Sequence, residues 1–191
     1  MVSIGRLHPV KGYDRLIKVI AAYKDKYNVN IQLAIIGEGP DYEVLNQRIQ
    51  QLALGNNIHL LGKKVNPFIY LNEAKLFVLT SKHEGFPNAV LEAGACGIPT
   101  VAFDVPGGIK EIITSGKNGF LVPDKAFEEM ADCIHFSLKH PFDKAWIKRN
   151  TRQKFGLKKI IHQYENLFHE ALSISPKITY QQPSSISSDT R

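Results

Sequence analysis

The chain has 191 residues, 43 % of them apolar, which is enough for one domain with a filled core. Its formal charge of +6 is concentrated: between Lys139 and Lys159 stand eight Lys or Arg against one acid, Asp143, so the remainder is close to neutral. No aromatic–basic interleaving accompanies that charge, which argues against a nucleic-acid binder, and no apolar run approaches the roughly 18 residues of a membrane span.

Short β-branched runs alternate with segments of helical period. Val2–Ile4 reads as a strand, followed by a loop from Gly5 to Lys11. A helix then carries Leu16, Ile20, Tyr23 and Tyr27 on one stripe. Ile31–Ile36 is a nearly unbroken apolar run, as in a strand covered on both faces. Gly37-Glu38-Gly39-Pro40 ends it, and from Asp41 a second helix aligns Leu45, Ile49 and Leu52. Further strands are predicted at Ile58–Leu61, Leu76–Leu79, Thr100–Phe103 and Phe120–Val122. Helices are predicted near 68–74, 88–96, 108–115 and 125–138, with two closing helices near 144–154 and 157–172. Repeated βα units call for a doubly wound, Rossmann-like parallel sheet of about six strands with helices on both faces. The domain is expected over 1–172, residues 140–172 closing it, with a disordered tail over 173–191 that is too poor in large apolar groups to offset its ordering entropy.

Cys96 and Cys133 lack the spacing of a metal or redox pair and read as small apolar residues of a reducing compartment. His8, His83, His135 and His140 share no ligand spacing, so no metal site is expected. Gly37-x-Gly39 follows a strand, but Tyr42 stands where a dinucleotide fingerprint needs its third glycine. Those glycines are read as a tight turn lining a cleft at the carboxyl edge of the sheet.

The richest stretch is Glu84-Gly-Phe-Pro-Asn-Ala-Val-Leu-Glu92. Two carboxylates flank a Gly/Pro turn that opens into a helix, with Asn88 the expected N-cap and Glu92 one turn inside. Free amides and the positive end of a helix dipole form a seat for phosphate, and a carboxylate on either side can accept sugar hydroxyls. Gly5-Arg6-Leu7-His8-Pro9-Val10-Lys11-Gly12 is the complementary loop. It follows the first strand and offers two cations, Arg6 and Lys11, to a diphosphate at the same sheet edge.

Gly5-Arg6-Leu7…Lys11-Gly12, Gly37-Glu38-Gly39-Pro40, Ser81…Glu84-Gly-Phe-Pro…Glu92-Ala93, Gly97-Ile98-Pro99-Thr100-Val101-Ala102, Gly107-Gly108…Glu111 and Asn118-Gly119-Phe120-Leu121-Val122-Pro123 occur in that order. Taken together, over residues 2 to 172, the set resembles the C-terminal, donor-binding half of the retaining glycosyltransferases of family four, which have the two-lobed GT-B fold. The resemblance implies that Arg6 and Lys11 bind the donor diphosphate and stabilise the leaving group. Glu84 corresponds to the first glutamate of the family's E-x7-E motif, at the donor sugar, and Glu92 to the second, at the ribose. Gly85, Phe86 and the amides of Asn88, Ala89 and Val90 correspond to the loop beside sugar and phosphate. Gly5 and Gly37 line the cleft, and the Gly62–Asn66 loop with Val65 corresponds to the grip on the base.

The implied reaction moves a sugar from a UDP- or GDP-sugar to a sugar or lipid-linked acceptor with retention, in cell-surface polysaccharide or glycolipid synthesis. No cofactor is expected, and the cations take the role a metal would have. Glu84 and Glu92 are not the acid/base pair of a glycosidase, because they sit among donor hydroxyls without a partner that would raise a pKa. Residue 2 already begins a strand, so the N-terminal acceptor lobe is expected to be absent and the polypeptide to bind a sugar nucleotide weakly without useful transfer. The apolar face of 157–172 (Leu157, Ile160, Ile161, Tyr164, Leu167, Phe168) is then expected to lack part of its packing partner. A cytoplasmic setting is expected, with peripheral contact between Lys139–Lys159 and the inner face of the plasma membrane. Two alternatives stay open: a non-catalytic nucleotide-sugar-binding module, and a sugar-nucleotide epimerase or phosphorylase on the same fold.

Overall fold

A computed structural model describes residues 1–174. The tail expected from residue 173 lies outside the described residues from 175 on, and Ser173 and Ile174 still belong to the last helix. The chain divides into two compact units, Met1–Phe155 and the part from Gly156 onward.

The first unit is a six-stranded sheet built from β1 (Val2–Ile4), β2 (Leu33–Ile36), β3 (Ile58–Leu60), β4 (Phe77–Leu79), β5 (Thr100–Asp104) and β6 (Gly119–Pro123). All pairings are parallel and the order is β3-β2-β1-β4-β5-β6. Neighbours align in step, with Ser3 opposite Ile35, Ile35 opposite Leu60, and Val101 opposite both Val78 and Phe120.

Successive strand residues point to opposite faces, which explains the unbroken apolar runs. In β5, Val101 and Phe103 enter one core while Ala102 enters the other; in β4, Val78 and the pair Phe77 and Leu79 divide the same way. The first core is closed by α1 (Tyr13–Tyr27), α2 (Tyr42–Gln51) and α6 (Phe127–Lys139) through Leu16, Ile20, Leu45, Ile49, Met130 and Ile134. The second is closed by α3 (Phe68–Glu73), α4 (Asn88–Ala95) and α5 (Ile109–Ile112) through Leu71, Val90, Ala93, Ile109 and Ile112. Removing one such buried aliphatic side chain costs about 2–5 kcal/mol. Helix α7 (Lys144–Phe155) lies on α4, burying Ile147 and Thr151. Gly94 permits this approach, because a Cβ there would stand 2.5 Å from Thr151 Oγ1.

Two of the boundaries that differ from the sequence reading are set by asparagine side chains. The apolar run from Ile31 enters the ladder only at Leu33, because the Ile31 carbonyl accepts from Asn57 Nδ2 at 3.0 Å. The helix expected over 108–115 ends at Ile112: Asn118 Nδ2 donates to the Ile112 carbonyl at 2.8 Å, and Asn118 Oδ1 accepts from the Thr114 N–H at 2.7 Å. In the second unit, α8 (Leu157–Ile174) is amphipathic, with Leu157, Ile161, Tyr164, Leu167, Phe168 and Leu172 exposed along one stripe and Ile160 half-buried.

Candidate nucleotide-sugar site

In a doubly wound sheet the ligand crevice opens where the strand order reverses, outside the carboxyl ends of the strands. Here that point falls between β1 and β4. The β1 loop and the β4 loop therefore face each other, which brings together the two motifs singled out in the sequence.

The loops are stitched by backbone and side chain. Lys82 N–H donates to the Val10 carbonyl at 2.8 Å and Thr80 Oγ1 to the Gly12 carbonyl at 2.9 Å. A single 3-10 turn, Pro9–Lys11, is capped by His8, whose Nδ1 accepts from Val10 N–H at 3.3 Å, and it aims Lys11 across the gap. Lys11 Nζ lies 2.7 Å from Glu84 Oε1, and Ser81 Oγ donates to the same oxygen at 2.6 Å. Glu84 is buried, while the Lys11 side chain remains partly open. The Glu84 carboxylate thus holds an ammonium and a hydroxyl. Arg6 sits at the start of the β1 loop, exposed and without an ion pair among the described residues.

Glu84 is fixed from behind by β5's loop. Its N–H donates to the Pro106 carbonyl at 3.3 Å, and it forms a parallel bridge with Gly107. Gly107 has φ 122°, and a Cβ there would come 1.4 Å from the Glu84 carbonyl oxygen, so only glycine fits. Beyond it Phe86 lies against Gly108 and meets Phe155 edge-on at 5.8 Å.

Helix α4 opens differently from the expectation. Its N-cap is Pro87, with no side-chain cap, and Asn88 is the first helical residue. Proline lacks an N–H and fixes φ, so it takes the boundary and moves asparagine inside. Val90 N–H donates to the Pro87 carbonyl at 3.0 Å, so it is no free anion donor. Asn88 and Ala89 keep unpartnered N–H groups among the described residues. Glu92 is half-buried, and desolvation pushes its carboxyl pKa above the ordinary value.

The β2 and β3 loops complete the rim. Gly37 packs on the β1 loop so closely that a Cβ would stand 1.9 Å from the Gly5 carbonyl oxygen, and its N–H donates to the Gly62 carbonyl at 3.0 Å. Val65 lies fully exposed in that β3 loop, making no packing contact that would mark it for the base. Tyr13 is buried under the β1 loop, its hydroxyl 3.0 Å from where a Gly5 Cβ would stand, and burial pushes that hydroxyl's pKa up. Ser81, which clamps Glu84, was legible as a hydroxyl three residues before a carboxylate but was assigned no role. A concavity of about 580 Å³ lies elsewhere, lined by Phe120, Phe136, Phe142 and Trp146 beside the Gly116–Lys117 turn that precedes β6.

Comparisons with known proteins bear on the fold and the family. Residues 1–156 match the family model described as glycosyl transferases group 1. The chain is 28 % identical over 170 residues to an uncharacterised glycosyltransferase of Haemophilus influenzae, covering 87 % of this chain and 48 % of that protein. It is 31 % identical over 170 residues to the poly(ribitol-phosphate) alpha-N-acetylglucosaminyltransferase of Staphylococcus aureus, covering 87 % of this chain and 34 % of that one. Among solved structures, Anabaena HepE in complex with UDP superposes with a TM-score of 0.77 at 26 % identity, over 88 % of this chain and 48 % of its own. The chain thus spans about half the length, or less, of these relatives. With its matched region covering the whole first unit, the chain belongs to the glycosyl transferases group 1 family.

Proposed function

We propose that this chain is the donor-binding, C-terminal half of a retaining GT-B glycosyltransferase that uses a nucleoside-diphosphate sugar. The observation that carries the reading is the Lys11–Glu84 pair joining the β1 and β4 loops at the switch point. In the donor-free protein the carboxylate holds the ammonium. A diphosphate competes for that ammonium, and its departure frees Glu84 oxygens to accept hydroxyls of the donor sugar. As the glycosidic bond breaks, negative charge grows on the leaving β-phosphate. Arg6, Lys11 and the free amides of Asn88 and Ala89 stabilise it, without a metal in this reading. Glu92 accepts the ribose hydroxyls, Gly85 and Phe86 flank the sugar, and the Gly62–Asn66 loop including Val65 meets the base.

The names of the relatives support an acceptor in cell-surface polymer synthesis: one acts on poly(ribitol-phosphate) and another, from Bacillus subtilis, on poly(glycerol-phosphate). The basic stretch Lys139–Lys159 supports peripheral contact with an anionic cytoplasmic membrane surface carrying a lipid-linked acceptor. Among the described residues no helix is long and apolar enough to cross a membrane. In this reading the acceptor side lies outside these residues, and the residues described here bind donor without useful transfer. Amide-resolved NMR titration with UDP, GDP and their sugar conjugates tests the reading. Shifts confined to 5–12, 37–39, 62–66 and 84–92 support it; shifts centred on the Phe120–Trp146 concavity contradict it.

A further inference from the structure

Among the charged residues described, only Arg15 and Glu84 are buried, and both engage Ser81. Arg15 stands in the first turn of α1 and carries its guanidinium under the β4 loop. One terminal nitrogen donates to the Ser81 carbonyl at 3.2 Å, and the other pairs with the Asp124 carboxylate just beyond β6. The guanidinium carbon lies 4.6 Å from the ring centre of Phe103, near the end of β5. One side chain thus reaches from the first crossover helix past β4 and β5 to the loop after β6. Ser81 relays the constraint, since its backbone accepts from Arg15 while its hydroxyl donates to Glu84 at 2.6 Å.

A buried cation is costly to desolvate, and Arg15 Nε has no hydrogen-bond partner among the described residues. Packing alone would be better served by an apolar side chain on this face of α1, where Leu16, Val19 and Ile20 are fully buried. The charge is needed where it contacts the loop that carries Glu84. Resting on the donor-site reading above, we infer that Arg15 is a positioning residue: braced by Asp124 and Phe103, it fixes Ser81 and thereby the orientation of the Glu84 carboxylate toward the donor sugar.

The test uses the whole chain and Arg15→Met, Arg15→Lys, Asp124→Asn and Glu84→Gln. Amide hydrogen exchange in the ligand-free protein is expected to rise about tenfold or more across 80–86 in Arg15→Met, with α2 and β3 unchanged. Calorimetry then compares UDP with UDP-glucose and UDP-N-acetylglucosamine. The extra affinity contributed by the sugar is expected to vanish in Arg15→Met while UDP binds at least as well as before. Arg15→Lys restores part of it, and Asp124→Asn loses part of it. In the Glu84→Gln background, Arg15→Met is expected to remove nothing further from the sugar increment, as befits residues acting in one chain. Unchanged exchange across 80–86, or a loss that persists undiminished without the Glu84 carboxylate, overturns the inference. Should Arg15→Met fail to fold, the lysine and Asp124→Asn variants carry the same comparison. If the wild-type chain binds none of these nucleotides, the donor reading fails and the exchange measurement decides the role of Arg15 alone.

Discussion

The Lys11–Glu84 contact makes two residue-scale effects of one substitution separable. In Glu84→Gln the ammonium loses its resident partner, so UDP is expected to bind roughly two- to tenfold more tightly. The sugar moiety loses its charged hydroxyl acceptor, so the advantage of UDP-sugar over UDP shrinks; titration calorimetry with both ligands reads both directions at once. Glu92 makes a different prediction through its raised pKa. A carboxyl with a folded pKa above the unfolded one binds its proton more tightly in the native state. The native state is therefore favoured at low pH, and that contribution is lost as pH rises from the ordinary carboxyl range through the raised value. Glu92→Gln is expected to melt higher than wild type at pH 7 and level with it near pH 4, while binding nucleotide less well. A variant no more stable at pH 7 would show that burial of Glu92 carries no such cost. Lys11 and Glu84 were legible because their motifs combine glycine, charge and turn. Arg15 was not, since a cation in the first turn of a helix reads as an ordinary exposed side chain until the sheet order places β4 and β6 beside it.

At the scale of elements, the strand and helix sequence was legible almost throughout, because each strand buried on both faces is a short, mostly apolar run and each helix repeats at 3–4 positions. What escaped was set by single residues, two asparagines acting across space and one proline acting locally. Asn57 takes the carbonyl of Ile31, Asn118 stops α5, and Pro87 displaces Asn88 from the cap. None of these follows from periodicity. The α4–α7 contact is equally invisible in the sequence, since it depends on Gly94 meeting Thr151. Gly94→Val is expected to destabilise the fold by about 1–3 kcal/mol, because the branched side chain must push α7 away. Urea denaturation followed by circular dichroism measures it, and an unchanged midpoint would mean that α7 contributes no packing constraint on α4. Because α4 bears the free amides of Asn88 and Ala89, the same substitution is expected to weaken UDP.

At the scale of the whole molecule, both facing loops come from a single sheet edge, and the chain spans about half the length, or less, of the relatives it matches. Charge is partitioned as well, with the basic stretch away from the donor loops in sequence. Co-sedimentation is expected to recover the chain with phosphatidylglycerol-rich vesicles at low salt and to lose it at about 0.5 M salt, with no recovery on neutral vesicles. Equal recovery on neutral vesicles would assign the contact to apolar groups instead. The central claim, that Arg6 and Lys11 seat a diphosphate beside the start of α4, is met most directly by calorimetry of UDP and GDP with the wild-type chain and with Arg6→Ala/Lys11→Ala. Binding of at least one nucleotide, weakened roughly 100-fold or more in the double variant, is the predicted result. No heat from either nucleotide, or equal affinity in the two proteins, would contradict it.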